Sequence, residues 1–299
     1  MSGPGVIWIN GRLEPADKPL LTVTDRGFQV GDGVFETMRV VGGRILEFAM
    51  HVSRLRASAA VLAIPLPADV EHHLGRAVAD VCRANQLDGA DSQAAVRVTV
   101  SRGAVDGRAL LPPEDVSPTL VVQAWPVDPP APRLLSRGLR LVISGVRRDP
   151  ASPLATVKTT SRGEFVYAQL EARRRGVDDA LFLTTDGHLA EGTSASLFLV
   201  EGVGLATPSL DCGILVSTTR EWVISSGGPG LGLGVRQGQL TPDDLFAANE
   251  AFLASSVAGI QPITRVDDRP IGDGAPGAWT LRLRALREKA ASDLLTESP

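Results

Sequence analysis

The feature that most limits how this chain can fold is WPVDPPAPR, residues 125 to 133, in which four of nine residues are proline. Each proline fixes φ and removes a backbone donor, so neither a helix nor an interior strand runs through the stretch. At 299 residues the chain is also longer than one hydrophobic core comfortably serves. Two domains follow: a small N-terminal one over 1–125 and a larger one over 134–299, with 126–133 as the linker.

Before the linker, VIWIN, GVFETMRVV, RILEF, AAVRVTVS and TLVVQAW read as strands, with helices near 51–63 and 69–86 between them. After it come the strands GLRLVISGV, DALFLTT, ASLFLV and NEAFLASS, and helices near 162–175, 217–226, 242–248 and 277–292. The class is α+β. GGPGLGLG (227–234) reads as a glycine-rich turn. Ser161 and Glu164 have capping-box spacing for the helix over 162–175, and Gly176 is placed to end it.

A formal net charge of -4 offers no basic excess for nucleic acid or an anionic membrane. The start, MSGPGVIWING, has neither a basic region nor a long apolar core, and no run approaches the roughly 18 apolar residues of a membrane span. A cytoplasmic location is expected. Cys82 and Cys212 have neither disulfide nor zinc spacing, and His51, His72, His73 and His188 show no ligand pattern.

Lysine appears only at Lys18, Lys158 and Lys289, so arginine supplies 27 of the 30 Lys+Arg residues. In PASPLATVKTTS (150–161) a chain that prefers arginine has nevertheless kept an ammonium, with no other charge from Ala151 to Ser161. Lys158 is expected on a turn before the next helix, where the dipole's positive end disfavours protonation and leaves a nucleophilic amine. A solvated loop lysine is the plainer alternative. A lysine that forms an imine with an aldehyde cofactor such as pyridoxal 5'-phosphate (PLP) needs a carboxylate for the ring nitrogen and a cup for the phosphate. Glu191, in HLAEGTSAS, is a candidate for the first. For the second, Ser217, Thr218 and Thr219 stand at a helix start, and Arg54 in HVSRLRASA could add a guanidinium.

Through DRGFQVGDGVFET (25–37), HVSRL (51–55), KTTSR (158–162), DDALFLTTDGHLAEGTSASLF (178–198), GILVSTTR (213–220) and SSVAGIQPI (255–263), nearly the whole chain resembles the class IV aminotransferases. These are PLP enzymes of fold type IV and include branched-chain aminotransferases, D-amino acid aminotransferases and 4-amino-4-deoxychorismate lyases. The resemblance implies a small N-terminal α/β domain, a larger domain with a β-barrel-like core, PLP in the cleft between them, and a homodimer. By that resemblance Lys158 is the Schiff-base lysine and Glu191 the pyridinium partner. Arg54, Thr218, Thr219 and Ser256, with neighbouring Ser255, hold the phosphate, and Arg162 approaches the cofactor's ring oxygen. The expected partners are small amino acids and 2-oxo acids.

Substrate residues are less defined. Alternation in AAVRVTVSRG sets Arg97 opposite Val96, Val98 and Val100, where it can take a carboxylate; Arg102 and Arg108 are alternatives. Leu110 stands where the D-amino acid enzymes carry a histidine. Gly163 stands where branched-chain enzymes typically carry a tyrosine, and the only tyrosine is Tyr167. KTTSR with GDGVFET looks more like the lyases. Phe28 and Phe35 are expected to line a pocket. An aminotransferase is the leading expectation, a lyase that eliminates pyruvate the second, and a non-catalytic binding protein on the same fold the third.

Overall fold

The computed structural model describes residues 5–18, 20–107, 109–127 and 136–295. The chain divides into two compact units: Met1–Asp128 with Val157–Arg162 and Leu294–Pro299, and Pro129–Thr156 with Gly163–Asp293. Residues 128–133 of the expected linker lie outside the described residues.

In the first unit β1 (Val6–Ile9), β2 (Arg12–Pro15), β3 (Gly33–Val41), β4 (Arg44–Ile45), β5 (Gln93–Ser101) and β6 (Thr119–Pro126) form an antiparallel sheet in the order β2-β1-β6-β5-β3-β4. Its alternating apolar residues, Val34, Met38 and Val40 on β3 and Val96, Val98 and Val100 on β5, pack beneath the helices α2 (Phe48–Val61) and α3 (Val70–Ala84). Each such fully buried aliphatic side chain contributes roughly 1.5–3 kcal/mol. The register pairs Phe35 with Thr99 and Thr37 with Arg97, so these four share the opposite face. The expected strand RILEF is shortened to Arg44–Ile45 because Phe48 already begins α2 and packs on the core.

A second segment is woven into this unit from beyond the proline-rich break. Thr159 bridges Val34, the Phe35 amide donates to the Lys158 carbonyl at 3.0 Å, and the Thr160 amide donates to Gly33 at 2.8 Å. Glycine makes the approach possible: a Cβ on Gly33 would lie 2.8 Å from the Val100 carbonyl oxygen and 3.0 Å from the Thr160 hydroxyl. The neighbouring Gly31 has φ 69°, in the left-handed region.

In the second unit β7 (Leu139–Arg148), β8 (Asp179–Thr184), β9 (Leu189–Gly192), β10 (Ser196–Glu201), β13 (Glu250–Ser255) and β14 (Gly259–Val266) close into a six-stranded barrel. The closing pair is Ser196 with Glu191. β11 (Gly204–Pro208) and β12 (Gly234–Gly238) extend the sheet from β10, and β15 (Arg269–Pro270) pairs with β14. Leu141, Leu181, Leu189, Leu197, Leu199 and Leu253 form one core. Val142, Ala180, Phe182 and Ala190 meet α4 (Gly163–Arg174) in another. Phe198 and Phe252 stack on the side covered by α8 (Ala278–Asp293); the helices between them are α5 (Thr218–Trp222), α6 (Gly228–Gly230) and α7 (Pro242–Ala247).

Two local expectations change. The Ser161 hydroxyl donates to Gly31 at 3.1 Å rather than forming a capping box, because the close approach of the two segments claims it first; the helix's other end is as expected, with Gly176 at φ 66°. Residues 227–230 are helical rather than a turn. There the glycines serve packing, since a Cβ on Gly227 would lie 2.6 Å from the Trp222 ring.

One carboxylate fastens much of the first unit. Asp32 accepts from Arg26 Nε at 2.8 Å and from Arg102 Nε and Nη2 at 2.7 and 3.0 Å. Arg26, on α1 (Arg26–Val30), also donates to the Ala109 and Leu110 carbonyls, and Arg102 to those of Leu62 and Ala63 just past α2. Burial opposes ionisation of Asp32, but the hydrogen bonds from Arg102 and Arg26 outweigh it and hold the carboxyl below its ordinary value. A lowered folded-state value means that the stabilisation is present above the ordinary carboxylate range and is lost as pH falls through the folded value. Asp32→Asn strands two guanidinium groups and is expected to cost roughly 3 kcal/mol in urea unfolding at neutral pH, with the difference from the parent shrinking as the pH is lowered through the carboxylate range.

Candidate active site

On the face of the first unit's sheet away from the helices, Phe35 is the hub. It is 5% exposed, and three cations surround its ring: Arg97 at 3.9 Å from the centroid, Lys158 Nζ at 4.6 Å and Arg162 at 5.7 Å. Lys158 is held by its backbone, its amide donating to Ser58 Oγ of α2 at 3.2 Å while its carbonyl accepts from Phe35. The next helix begins at Gly163, five residues on. The Arg97 Nε donates to Thr99 Oγ1 at 3.2 Å, and burial pushes the guanidinium's value down.

Directly behind Phe35, Glu36 points under the helices and is 1% exposed. It accepts from Arg54 Nε at 2.7 Å, from Arg54 Nη2 at 2.6 Å and from His51 Nδ1 at 2.7 Å. His51 and Arg54 are three apart on α2 and so share a face. Burial works against the charge on Glu36, yet the Arg54 and His51 hydrogen bonds prevail and bring its carboxyl down to about 2.

Glu191 of the second unit lies on the barrel's closing strand at a β-bulge. The register runs Leu181 with Gly192 and then Leu183 with Leu189, so β9 carries one residue too many. A bulge re-aims side chains, and here Ala190 and Glu191 are both buried, at 1% and 6% exposure. Glu191 Oε2 accepts from the Leu215 amide at 3.3 Å, and Oε1 lies 3.7 Å from Arg148 Nη2. Arg148 is fixed in turn by the Ala155 and Gly213 carbonyls, at 2.8 and 3.3 Å.

From Leu215 the chain runs into α5, whose N-cap Ser217 accepts from the Arg220 amide at 3.2 Å. Thr218 Oγ1 lies 3.1 Å from Ser256 Oγ, and Ser255 ends β13 next to it. Thr219 is fully buried, and its hydroxyl has no hydrogen-bond partner among the described residues. An unpaired buried hydroxyl beside a hydroxyl pair at a helix start suits an oxyanion-rich group such as a phosphate.

The first unit thus holds Lys158, Arg54, Arg97, Arg162 and Phe35, and the second Glu191, Thr218, Thr219, Ser255 and Ser256. Arg102 is engaged by Asp32 and two carbonyls and is no longer a candidate for substrate. Phe28, on α1, is 74% exposed in the single chain. Arg108 lies outside the described residues. Sequence reasoning missed Glu36, His51 and Arg148. A glutamate in the apolar row Val34-Glu36-Met38-Val40 was a readable signal for the first two; nothing in VRRDP distinguishes Arg148 from Arg147.

Replacing Thr219 with valine removes the unpaired hydroxyl at almost constant volume. The ligand-free chain is expected to gain about 1 kcal/mol, read as a raised midpoint in thermal unfolding, and to bind inorganic phosphate more weakly than the parent.

The amino-transferase class IV family model matches residues 33–266. A Methanocaldococcus jannaschii protein provisionally named a branched-chain-amino-acid aminotransferase is 33% identical over 93% of each chain. The aminodeoxychorismate lyase of Bacillus subtilis is 28% identical over 98% of this chain and 97% of its own. Among solved structures, the branched-chain amino acid aminotransferase of Escherichia coli superposes with a TM-score of 0.88 at 26% identity, covering 96% of this chain and 94% of that one. With the barrel, the matched span and these relatives together, the chain belongs to the amino-transferase class IV family and is an enzyme.

Proposed function

We propose that the protein is a PLP-dependent aminotransferase exchanging amino groups between amino acids and 2-oxo acids. The observation that carries this reading is Lys158, in a chain with only three lysines, held by its own backbone against Phe35 and Ser58. PLP, when bound, supplies the electron sink that makes the substrate's Cα proton removable. The chain's residues do the rest. Lys158 would offer the amine that carries the cofactor and, when free, would take the substrate's Cα proton as general base. Arginine cannot serve here, since its guanidinium stays protonated at neutral pH. Glu191, buried and aimed by the bulge, would hold a proton on the ring nitrogen. Thr218, Thr219 and Ser256, with Ser255 adjoining, hold the phosphate by hydroxyl and amide, and Arg54 adds charge. Arg97 would take a substrate carboxylate beside Phe35, and Arg162, on the same ring, would interact with the cofactor's phenolic oxygen. Arg108 is the second candidate for the carboxylate.

The lyase reading is favoured by the sequence. Gly163 stands where a tyrosine is typical of branched-chain enzymes, and KTTSR with GDGVFET looks more like the lyases. We also propose a homodimer. Phe28, Leu110 and Leu111 are 74%, 80% and 83% exposed, and Arg26 binds the segment carrying Leu110 to the helix carrying Phe28, which gives a fixed apolar surface for a second copy. Among the described residues no helix is long and apolar enough to cross a membrane, and we place the protein in the cytoplasm.

Borohydride reduction of the PLP-loaded protein followed by peptide mapping is expected to find the cofactor on Lys158, with no adduct and no turnover in Lys158→Ala; an adduct on Lys18 or Lys289 overturns the assignment. Assays with and without a 2-oxo acid separate the two activities. The aminotransferase reading expects an absolute need for the acceptor, whereas pyruvate released from aminodeoxychorismate in its absence identifies the lyase.

A further inference from the structure

We infer that Glu36 is a positioning residue that presets Arg54 for the cofactor's phosphate. The inference rests on the reading of Arg54 as a phosphate ligand. Val34, Met38 and Val40, which share the helix-covered face of β3 with Glu36, are aliphatic and 0–1% exposed. A carboxylate in that row is costly to bury, and a hydrophobic residue of similar volume usually serves stability as well or better. Its three hydrogen bonds, two of them from Arg54, therefore call for an explanation beyond packing.

The geometry supplies one. Glu36 engages the Nε and Nη2 edge of the guanidinium in fork fashion, which sets both its place and its plane. Arginine otherwise loses considerable rotamer freedom when it grips an anion; a partner that has already ordered it removes that cost from binding. His51, donating to Glu36 Oε2, fixes the carboxylate itself and keeps it from following Arg54. The arrangement is a relay of orientation from His51 to Glu36 to Arg54. The single alternation between Phe35 and Glu36 sends one residue to the lysine's side of the sheet and the next to the arginine's.

The test compares two ligands that differ only by the phosphate. Full-length protein freed of cofactor is titrated with PLP and with pyridoxal, for the parent, Glu36→Gln, Glu36→Asp and Arg54→Gln, after unfolding curves have established which variants fold. Glu36→Gln removes the charge at equal shape, and Glu36→Asp retracts the carboxylate by one methylene. In each, affinity for PLP is expected to fall at least about tenfold, by analogy with the roughly 10–100-fold losses at metal sites when a ligand's outer partner is removed, while affinity for pyridoxal changes little. Either Glu36 variant suffices if the other does not fold. A selective loss in Arg54→Gln with none in the Glu36 variants overturns the role of Glu36 and leaves Arg54 in place. No selective loss in Arg54→Gln overturns the phosphate assignment itself and the inference with it. Equal losses for both ligands in the Glu36 variants mean general collapse and also overturn the proposal.

Discussion

The backbone hydrogen bond from Phe35 to the Lys158 carbonyl, 3.0 Å long, is the constraint from which the first unit's chemistry follows. It joins residues more than a hundred positions apart, and such a link closes a long loop whose entropy must be offset locally. Thr160 donating to Gly33, the Thr159 bridge to Val34 and Ser58 accepting from the Lys158 amide provide that offset. The lysine's backbone is thereby fixed before its side chain does anything, which suits the role proposed for it as the amine that carries the cofactor. Gly31 and Gly33 are the enabling residues. With side chains at either, the two segments could not lie this close.

The second unit reaches the same end by another route. A closed barrel has no free edges, so its strands are rigid, and a functional carboxylate on a regular strand would point either into the leucine core or toward the covering helix. The extra residue on β9 breaks that choice. It lets Ala190 stay in the packing beneath α4 while Glu191 turns to the Leu215 amide and toward Arg148. Because Glu191 is also the residue through which β9 meets β10, the barrel's closure and the carboxylate's placement are one structural event. The rim that follows, from Leu215 through the buried Thr219, carries an unpaired hydroxyl, and that is bonding capacity left for a ligand.

Much of this is legible in the amino-acid order. The valine alternation of β5 indicates both the sheet and the opposite orientation of Arg97, because a half-buried strand has a period of two. The long strands and helices are readable for the same reason, and Lys158 stands out by rarity. What escapes is short or irregular. β9, β11, β12 and β14 carry no clear strand pattern, being four or five residues long or, in β14, interrupted by Pro262; their stability comes from neighbours in the sheet rather than from local pattern. The Ser161 cap does not form because a tertiary partner, Gly31, outcompetes the local one. The Glu36 triad carries one readable mark, a glutamate within an apolar row, but its contact with His51 and Arg54 escapes because they lie 15 and 18 residues away on a helix.

The preference for arginine over lysine also has a structural reason. Arg26 reaches Asp32 and two carbonyls, Arg102 reaches Asp32 and two others, Arg148 joins two carbonyls near Glu191, and Arg220 links Pro208 to Gln237. Each task needs a planar fork with donors in more than one direction, and a lysine ammonium offers one compact point instead. Several of these arginines fasten backbone carbonyls that no strand or helix satisfies, so they act as internal caps for loops. A protein built in this way relies on guanidinium groups that never lose their protons. Such groups could not serve at the position proposed to give a proton up, and at that position, Lys158, the chain carries a lysine instead.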